Sequence, residues 1–363
     1  MSVYPVASID LAALRHNLNQ VRIFAPSSRI ISVIKANAYG HGIVETAQAL
    51  YDSDAFAVAR VEEAIALREA AIEQPIIVLE GIRSDSALLQ MAQYQLTPVL
   101  HLLEQLELLT TVSNLAQPLP DCWLMVETGM NRLGIAVNDI PTAIELLESS
   151  RQITGKVGLM SHFANSDLVD DSRNQKQLDV MMALAQQTGL EVCFANSAAV
   201  ISFAASHQQW VRPGLMLYGV SPFSDCCGAE LGLKPVMQLK SQIMSIHQLQ
   251  KGDQVGYGGT WTAEKSMPMA VVNIGYGDGY HRHLSNCGQV LLRDQLVPVI
   301  GRVSMDSICI GLDTCSQAQV GDEVILWGHE KLPVEHMANL AGTISYELIT
   351  VVCERVKRVY ING

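Results

Sequence analysis

The sequence predicts a (β/α)8 barrel followed by a second, mostly-β domain. Up to about Ser221, short apolar runs rich in β-branched residues alternate with segments whose apolar residues recur at helical spacing. Beyond that point, strand patterns separated by the turn signals KGD, GDG and VGD follow one another, with little helical pattern between them. The change of pattern indicates two domains, which a chain of 363 residues is long enough to form.

Eight apolar runs are candidate barrel strands, because buried parallel strands are continuous apolar runs rather than alternating ones. In chain order they are residues 29–34, 54–59, 75–80, 96–100, 122–127, 155–162, 191–195 and 210–217. Helical patterns such as VEEAIALREAAI and NQKQLDVMMALAQQ separate them. Eight such units are typical of a closed barrel. An open doubly wound sheet is the competing fold, but no G-x-G-x-x-G follows the first strand.

The second domain is expected over residues 229–363, after a barrel over residues 1–228. Its predicted strands lie within KPVMQLKSQIMSIHQL, MAVVNIGYG, GQVLLRDQLVPVIGRVSMDSICIGL and DEVILWG. One helical stretch is expected around residues 334–340. A first strand at about residues 2–9 is a candidate to pair with this second domain.

Charge and composition exclude several classes of function. The net charge of −12 argues against non-specific binding to nucleic acid or to an anionic membrane. No apolar run is long enough to span a bilayer, and the start of the chain lacks a secretory signal pattern. The eight cysteines show no C-x-x-C and no zinc-site spacing. We therefore expect a cytoplasmic protein with reduced thiols and no metal.

Polar residues cluster at the predicted carboxyl ends of the strands, where this fold places its chemistry. Each has an ordinary structural explanation alone; Ser197, for example, is expected to cap the helix SAAVISFAA. Together they predict one site at one face of the barrel. They are Lys35, Arg132, His162, Asn196, Ser197, Arg212 and Gly214.

This set of side chains suggests pyridoxal 5'-phosphate as a cofactor. That cofactor needs a lysine for its Schiff base, an anchor for its phosphate and a partner for its ring nitrogen. Lys35 supplies the amine, and the loops after strands seven and eight, with Ser197 and Gly214, are placed for the phosphate. The usual partner of the ring nitrogen is an acid, whereas the end of strand eight offers Arg212.

Nine motifs in order resemble those of the alanine racemases, which are fold-type III pyridoxal-phosphate enzymes. They extend from the first barrel strand almost to the carboxyl terminus: VIKANAYGHG, ETGMNRLG, SHFANSD, ANSAA, VRPGLMLYG, VGYGGTWTA, GYGDGY, GRVSMD and ISYELIT. No single motif is decisive, but the ordered set is highly specific.

The resemblance implies roles for the barrel residues. Lys35 holds the cofactor as an aldimine and is one of two acid/base groups. Arg212 hydrogen-bonds the ring nitrogen, and His162 links Arg212 to the second acid/base group. Arg132 contacts the cofactor and the substrate carboxylate. The implied phosphate ligands are Tyr39, Ser197, Gly214 and Tyr346, with Asn196 beside them.

The resemblance also implies a homodimer with shared active sites. Tyr257 is the second acid/base group and comes from the partner subunit. Met305 and Asp306, also from the partner, help to bind the substrate carboxylate, and the partner's Tyr280 narrows the entrance together with Tyr346.

One position departs from the family pattern. Many members have a carbamylated lysine seven residues before the arginine of ETGMNRLG, and its anion orients that arginine. This chain has Met125 there, which cannot be carbamylated. Glu127 shares a strand face with Met125 and is a candidate to supply the charge, as is a bound anion such as chloride.

These observations predict an enzyme that interconverts L- and D-alanine and supplies D-alanine for peptidoglycan. A broader amino-acid or serine racemase is the nearest alternative. A fold-type III decarboxylase is disfavoured by Arg212 and by VGYGG, because that branch typically has an acid and a catalytic cysteine at the corresponding places. A non-catalytic pyridoxal-phosphate carrier is disfavoured by the second domain.

Overall fold

A computed structural model describes residues 5–112, 115 and 117–363 of the chain. It divides into two compact units. The barrel unit comprises Asn17–Ala38 and Ile43–Leu217. The β unit comprises the described residues up to His16, Tyr39–Gly42 and Tyr218–Gly363.

The division near Tyr218 falls earlier than the boundary predicted at residue 228. Two sets of hydrogen bonds explain the difference. The Val236 N–H donates to the Tyr218 carbonyl at 3.2 Å. The Glu335 carboxylate accepts the N–H groups of Ser221 and Gly228, each at 2.9 Å. The segment that follows Tyr218 is thereby tied to the β unit.

The predicted (β/α)8 barrel is confirmed. Its eight strands are all parallel, in the order β5-β4-β3-β2-β10-β9-β8-β6, and pairing of β6 with β5 closes the sheet. With the amino-terminal strand β1 (Val6–Asp10) counted first, they are β2 (Arg29–Val33), β3 (Ala55–Val58), β4 (Ile76–Val78), β5 (Thr97–Leu100), β6 (Cys122–Glu127), β8 (Val157–Met160), β9 (Glu191–Cys193) and β10 (Trp210–Val211); the short β7 (Ile135–Ala136) pairs with β6.

The last barrel strand is much shorter than the predicted 210–217. It ends at Val211. Pro213 has no N–H to donate to a neighbouring strand, and Leu215–Tyr218 forms a 3-10 turn instead. This early end places Arg212 and Gly214 in the loop after the strand rather than within it.

The α-helices of the first part of the chain include one irregular segment, α2, whose backbone is left-handed. In chain order they are α1 (Leu11–Phe24), α2 (Lys35–Tyr39), α3 (Ile43–Ala49), α4 (Val61–Glu69), α5 (Asp85–Gln93), α6 (Leu103–Thr111), α7 (Ile140–Ser150), α8 (Ser172–Thr188) and α9 (Ser197–Ser202). Those between barrel strands bury one apolar face each, as Leu88, Met91 and Ala92 of α5 illustrate.

The β unit is built on an eight-stranded, mostly antiparallel sheet in the order β14-β17-β16-β15-β18-β11-β1-β19. The amino-terminal strand β1 lies in it, antiparallel to β11 and parallel to β19. The unit's other strands are β11 (Met237–Leu249), β12 (Gln254–Val255), β13 (Trp261–Thr262), β14 (Met267–Val272), β15 (Gln289–Leu292), β16 (Gln295–Ile300), β17 (Ile308–Gly311), β18 (Glu323–Trp327) and β19 (Lys357–Ile361).

Two α-helices lie in the later part of this unit, α10 (Val334–Ala341) and α11 (Ser345–Thr350). The helix predicted around residues 334–340 matches α10 to within one residue at its carboxyl end, whereas α11 was not predicted. That helix has six residues, too few for apolar periodicity to be informative.

Candidate active site

The predicted barrel residues all lie at or just beyond the carboxyl ends of their strands. Lys35 follows β2, and Arg132 lies in the loop after β6. His162, Ser197 and Arg212 follow β8, β9 and β10. Because carboxyl ends of parallel barrel strands surround one mouth, the structure brings these residues to a single face.

The turn after Lys35 is left-handed over four successive residues that are not glycine. Residues 36–39 have φ between 51° and 54°. This conformation costs an L-residue about 1–2 kcal/mol, and backbone strain of this kind concentrates at functional sites. The Asn37 side chain supports the turn by accepting the Ile43 N–H at 2.9 Å. Lys35 is therefore followed by a turn whose backbone is strained and whose conformation is supported by a hydrogen bond to the Asn37 side chain.

The electrostatics of the mouth favour a neutral amine on Lys35. Burial lowers its pKa below the usual value, and the positive charges of Arg212 and Arg132 lower it further. The carboxylates of Glu63 and Glu80 act in the opposite direction but do not cancel this effect. A lowered pKa increases the fraction of neutral lysine, the form that attacks an aldehyde or accepts a proton.

Arg212 bonds to two groups at the end of β8. Its Nη2 donates to the Ser161 carbonyl at 2.7 Å and lies 3.3 Å from His162 Nδ1. An arginine can only donate, so His162 Nδ1 is the acceptor and its proton lies on Nε2. Burial, followed by the charge of Arg212, holds the pKa of His162 well below its usual value. His162 is therefore neutral at neutral pH.

The Nε of Arg212 tests whether the mouth fits the implied cofactor. This atom is buried and has no hydrogen-bond acceptor among the described residues. A buried donor without a partner is costly, and an aromatic ring nitrogen is a suitable acceptor. With the amine of Lys35, whose pKa is lowered, at the same mouth, these groups fit a ligand with an aldehyde and a pyridine nitrogen.

Ser197 does not cap its helix, contrary to the prediction. Asn196 is the N-cap, and its Oδ1 accepts the Ala199 N–H at 3.1 Å. The Ser197 hydroxyl instead accepts the N–H groups of Gly214 (3.0 Å) and Met216 (3.2 Å). Ser197 and Gly214 thus meet directly, and their hydroxyl and N–H are hydrogen-bonding groups suited to a phosphate.

The loop that bears Arg132 is held by Glu127. Its carboxylate accepts the N–H groups of Gly129 at 2.5 Å and Arg132 at 3.3 Å. Because Glu127 bonds to backbone N–H groups, it fixes the position of the backbone from which the Arg132 side chain extends. Met125 is half-buried in β6, in register with Met160 of β8.

The methionine at position 125 predicts that the activity does not depend on carbon dioxide. Because methionine has no amine to carbamylate, restoring bicarbonate to degassed enzyme is expected to leave kcat unchanged. The matched variant Met125→Lys should gain a bicarbonate-dependent change in rate. An increase in the wild-type rate on adding bicarbonate would contradict the assignment of Glu127 as the support of Arg132.

Tyr257 is strongly exposed in the β unit. It begins a 3-10 turn, Tyr257–Gly259, and 71% of the residue is accessible. Met305 is also exposed, at 54%, and next to it Asp306 forms an ion pair of 2.8 Å with Arg355. These three residues, which the resemblance assigns to the partner's site, are thus accessible in the β unit.

Tyr39 and Tyr346 are neighbours within the β unit. Their ring centroids lie 6.1 Å apart, and the Tyr39 ring stacks on Tyr218 at 4.8 Å. Tyr346 lies on α11, the helix that periodicity did not predict. The structure therefore brings together these two predicted phosphate ligands, Tyr39 being largely buried and Tyr346 exposed.

Tyr280 requires a correction. It was expected to narrow an entrance, but it is 0% exposed and stacks on Trp327 in the core of the β unit. The exposed tyrosine of GYGDGY is Tyr276, at 42%. Its N–H donates to the Ser304 carbonyl at 3.0 Å, so it lies beside the loop that bears Met305.

Arg355 is a further residue that the sequence did not single out. Its guanidinium bonds to Asp278 of GYGDGY at 2.7 Å and to Asp306 of GRVSMD at 2.8 Å. It thereby joins the two loops that present Tyr276 and Met305. Nothing in the local sequence around Arg355 indicates this bridge.

The described part of the chain has neither a helix that could span a membrane nor a cluster of side chains placed to hold a metal ion. Within residues 5–112, 115 and 117–363, every helix is too short or too polar to cross a bilayer. The same residues contain no group of three or more His, Cys, Asp or Glu placed to hold a metal ion.

The family comparison decides the assignment. Residues 9–222 match the alanine racemase N-terminal domain and residues 236–360 match the alanine racemase C-terminal domain. The chain belongs to the alanine racemase family. This family consists of pyridoxal-phosphate-dependent isomerases, so the predicted family, enzyme class and cofactor are confirmed.

Individual alanine racemases resemble the chain over nearly its whole length. The alanine racemase of Nitrosococcus oceani is 46% identical, covering 98% of this chain and 99% of that protein. The crystal structure of a biosynthetic alanine racemase from Pseudomonas aeruginosa is 39% identical, with a TM-score of 0.93 and 99% coverage of both chains. An alanine racemase from Bartonella henselae, solved with covalently bound pyridoxal phosphate, is 30% identical, with a TM-score of 0.89, covering 99% of this chain and 100% of that chain.

Proposed function

We propose that this chain interconverts L- and D-alanine with pyridoxal phosphate bound at Lys35, and that it acts as a homodimer in the cytoplasm. The observation that supports this most is made at Arg212, which lies at the same mouth as Lys35. Its buried Nε has no hydrogen-bond acceptor among the described residues. Racemisation at this mouth would supply D-alanine for peptidoglycan.

Racemisation needs two proton-handling groups on opposite faces of the substrate Cα. When bound, pyridoxal phosphate withdraws electrons from Cα and makes its proton acidic. One group removes the proton from one face, and the other delivers a proton to the opposite face. Lys35 is one group, and Tyr257 of the partner subunit is the proposed other. The strong exposure of Tyr257 in one subunit is consistent with a role in a second.

His162 connects Arg212 to the proposed tyrosine. Its Nδ1 accepts from Arg212, so its Nε2–H is available to donate to a phenol oxygen. Donation to a phenolate, backed by the positive charge of Arg212, stabilises the ionised form. In this arrangement Tyr257 of the partner subunit acts as the proton-handling group on its face of Cα.

Arg212 also favours racemisation over competing reactions. Arginine does not give up its proton, so Arg212 would hydrogen-bond the ring nitrogen of a bound cofactor without protonating it. A cofactor held in this way would withdraw electrons less strongly, which favours direct return of a proton to Cα over transamination. The same argument disfavours the decarboxylase alternative, for which an acid at this position is typical.

Arg132 is the proposed partner of the substrate carboxylate, together with Met305 and Asp306 of the partner subunit. Tyr346, with Tyr276 of the partner subunit in place of Tyr280, is proposed to limit the side chain that can enter. A small pocket favours alanine and leaves serine as the alternative substrate.

The substrate assignment is tested by incubating the purified protein and pyridoxal phosphate with single L-amino acids, followed by chiral chromatography. We expect D-alanine to accumulate fastest, with slower conversion of serine and no release of carbon dioxide. Conversion of larger amino acids at rates equal to alanine would support the broader racemase. Release of an amine and carbon dioxide would support the decarboxylase.

Shared active sites predict complementation between two inactive variants. A heterodimer of Lys35→Ala and Tyr257→Phe subunits, isolated with two affinity tags, contains one complete site and one doubly defective site. We expect about half the wild-type activity from it, because a closed twofold dimer has two equivalent sites. Each parent homodimer should be nearly inactive. A heterodimer as inactive as its parents would show that Lys35 and Tyr257 act within one subunit.

A further inference from the structure

Glu63 connects the turn after Lys35 to the amino terminus of helix α4. Its carboxylate accepts hydrogen bonds from four backbone N–H groups, which belong to two separate segments of the chain. Oε1 accepts those of Ala36 (2.6 Å) and Asn37 (3.4 Å), and Oε2 accepts those of Ala59 (2.9 Å) and Arg60 (3.2 Å).

Helix capping explains only half of these contacts. Arg60 is the N-cap of α4 and Glu63 is at position N3, where an acidic side chain commonly accepts the N-cap N–H. The other oxygen bonds outside the helix, to Ala36 and Asn37. Both have left-handed backbone, with φ of 54° and 52°. Hydrogen bonds to an ionised carboxylate are stronger than neutral ones, so they are suited to hold a strained conformation.

We propose that Glu63 is a positioning residue for Lys35, whose carboxylate holds the left-handed turn and so fixes the backbone from which the lysine extends. The importance of Lys35 rests on the proposed function, but the hydrogen-bonded clamp does not. Glu63 lies in the barrel unit with Lys35, Ala36 and Asn37, so the clamp is internal to one compact unit.

The first test is amide hydrogen exchange in the full-length chain, measured with and without pyridoxal phosphate. In Glu63→Gln, one acceptor oxygen becomes an NH2 group, which cannot accept from a backbone N–H. We expect the Ala36 and Asn37 amides to exchange at least about tenfold faster. The control is Glu62→Gln, which makes the same charge change at an exposed neighbouring position of the same helix. In this variant the Ala36 and Asn37 amides should exchange at the wild-type rate.

The second test separates positioning from general stability by steady-state kinetics. Glu63→Gln is expected to lower kcat by about 10- to 100-fold, because small displacements of a reacting group cost this much. KM for alanine should change by less than about twofold, since Arg132 rather than Glu63 is the carboxylate partner. Glu63→Asp keeps the charge on a shorter side chain and should recover part of kcat.

Three results decide the inference. Unchanged exchange at Ala36 and Asn37 in Glu63→Gln would overturn it. A uniform rise in exchange over the whole barrel unit would also overturn it, because Glu63 would then be a helix cap only. If the two amides respond locally but the wild-type protein does not racemise alanine, the clamp is supported and the proposed function fails instead.

Discussion

Lys35→Ala is expected to lose racemisation by at least about a thousandfold. The variant lacks the amine that is proposed to anchor the cofactor covalently and to act as one of the two proton-handling groups, and each of these roles contributes a large factor in rate. Chiral chromatography of the reaction with L-alanine measures the loss. Absorbance of the dialysed protein should show that pyridoxal phosphate is no longer retained.

Lys156→Ala is the matched control for this variant. Lys156 lies just before β8, at the opposite end of the barrel strands, and its ammonium pairs with Glu191 at 3.3 Å on the surface. Surface ion pairs contribute little to stability, so this variant should keep wild-type activity and cofactor. Full activity in Lys35→Ala would contradict the assignment of the strand-ending lysine.

Tyr257→Phe is expected to lower kcat/KM by about 10²- to 10⁴-fold, and by the same factor in both directions. The equality follows because the equilibrium constant between free alanine enantiomers is one. The phenyl ring can neither take nor give a proton, while Lys35 keeps its function on its own face. In D2O, one enantiomer should therefore still exchange its Cα hydrogen without inverting, and the other should not.

Proton NMR of each enantiomer in D2O distinguishes this result from simple inactivation. Tyr51→Phe is the control, since Tyr51 is an exposed residue of the barrel unit outside the proposed site. Equal Cα exchange from both enantiomers in Tyr257→Phe would show that a second base remains. The assignment of Tyr257 would then be wrong.

The barrel could be predicted from the sequence because local pattern and fold agree. Buried parallel strands must be apolar on both faces, so runs such as RIISV and CWLMVE stand out from the helical segments between them. The predicted strand ends also place Lys35 and His162 at one mouth without knowledge of any contact. These features depend on residues close together in the chain.

The features that the sequence did not predict depend on contacts between distant residues. GYGDGY contains two tyrosines, and only packing against Trp327 shows that Tyr280 is the buried one. The bond from Gly214 N–H to Ser197 decides that this hydroxyl does not cap its helix. Glu63 looks like an ordinary first-turn glutamate until the turn at Ala36 is placed against it.

The most direct measurement follows L-alanine with the wild-type protein and pyridoxal phosphate in D2O, by circular dichroism and by proton NMR of Cα. We predict that ellipticity decays to zero while the Cα proton is replaced by deuterium, with no loss of alanine. Ellipticity that persists, or alanine that is consumed to another product, would contradict the proposal that this chain is an alanine racemase.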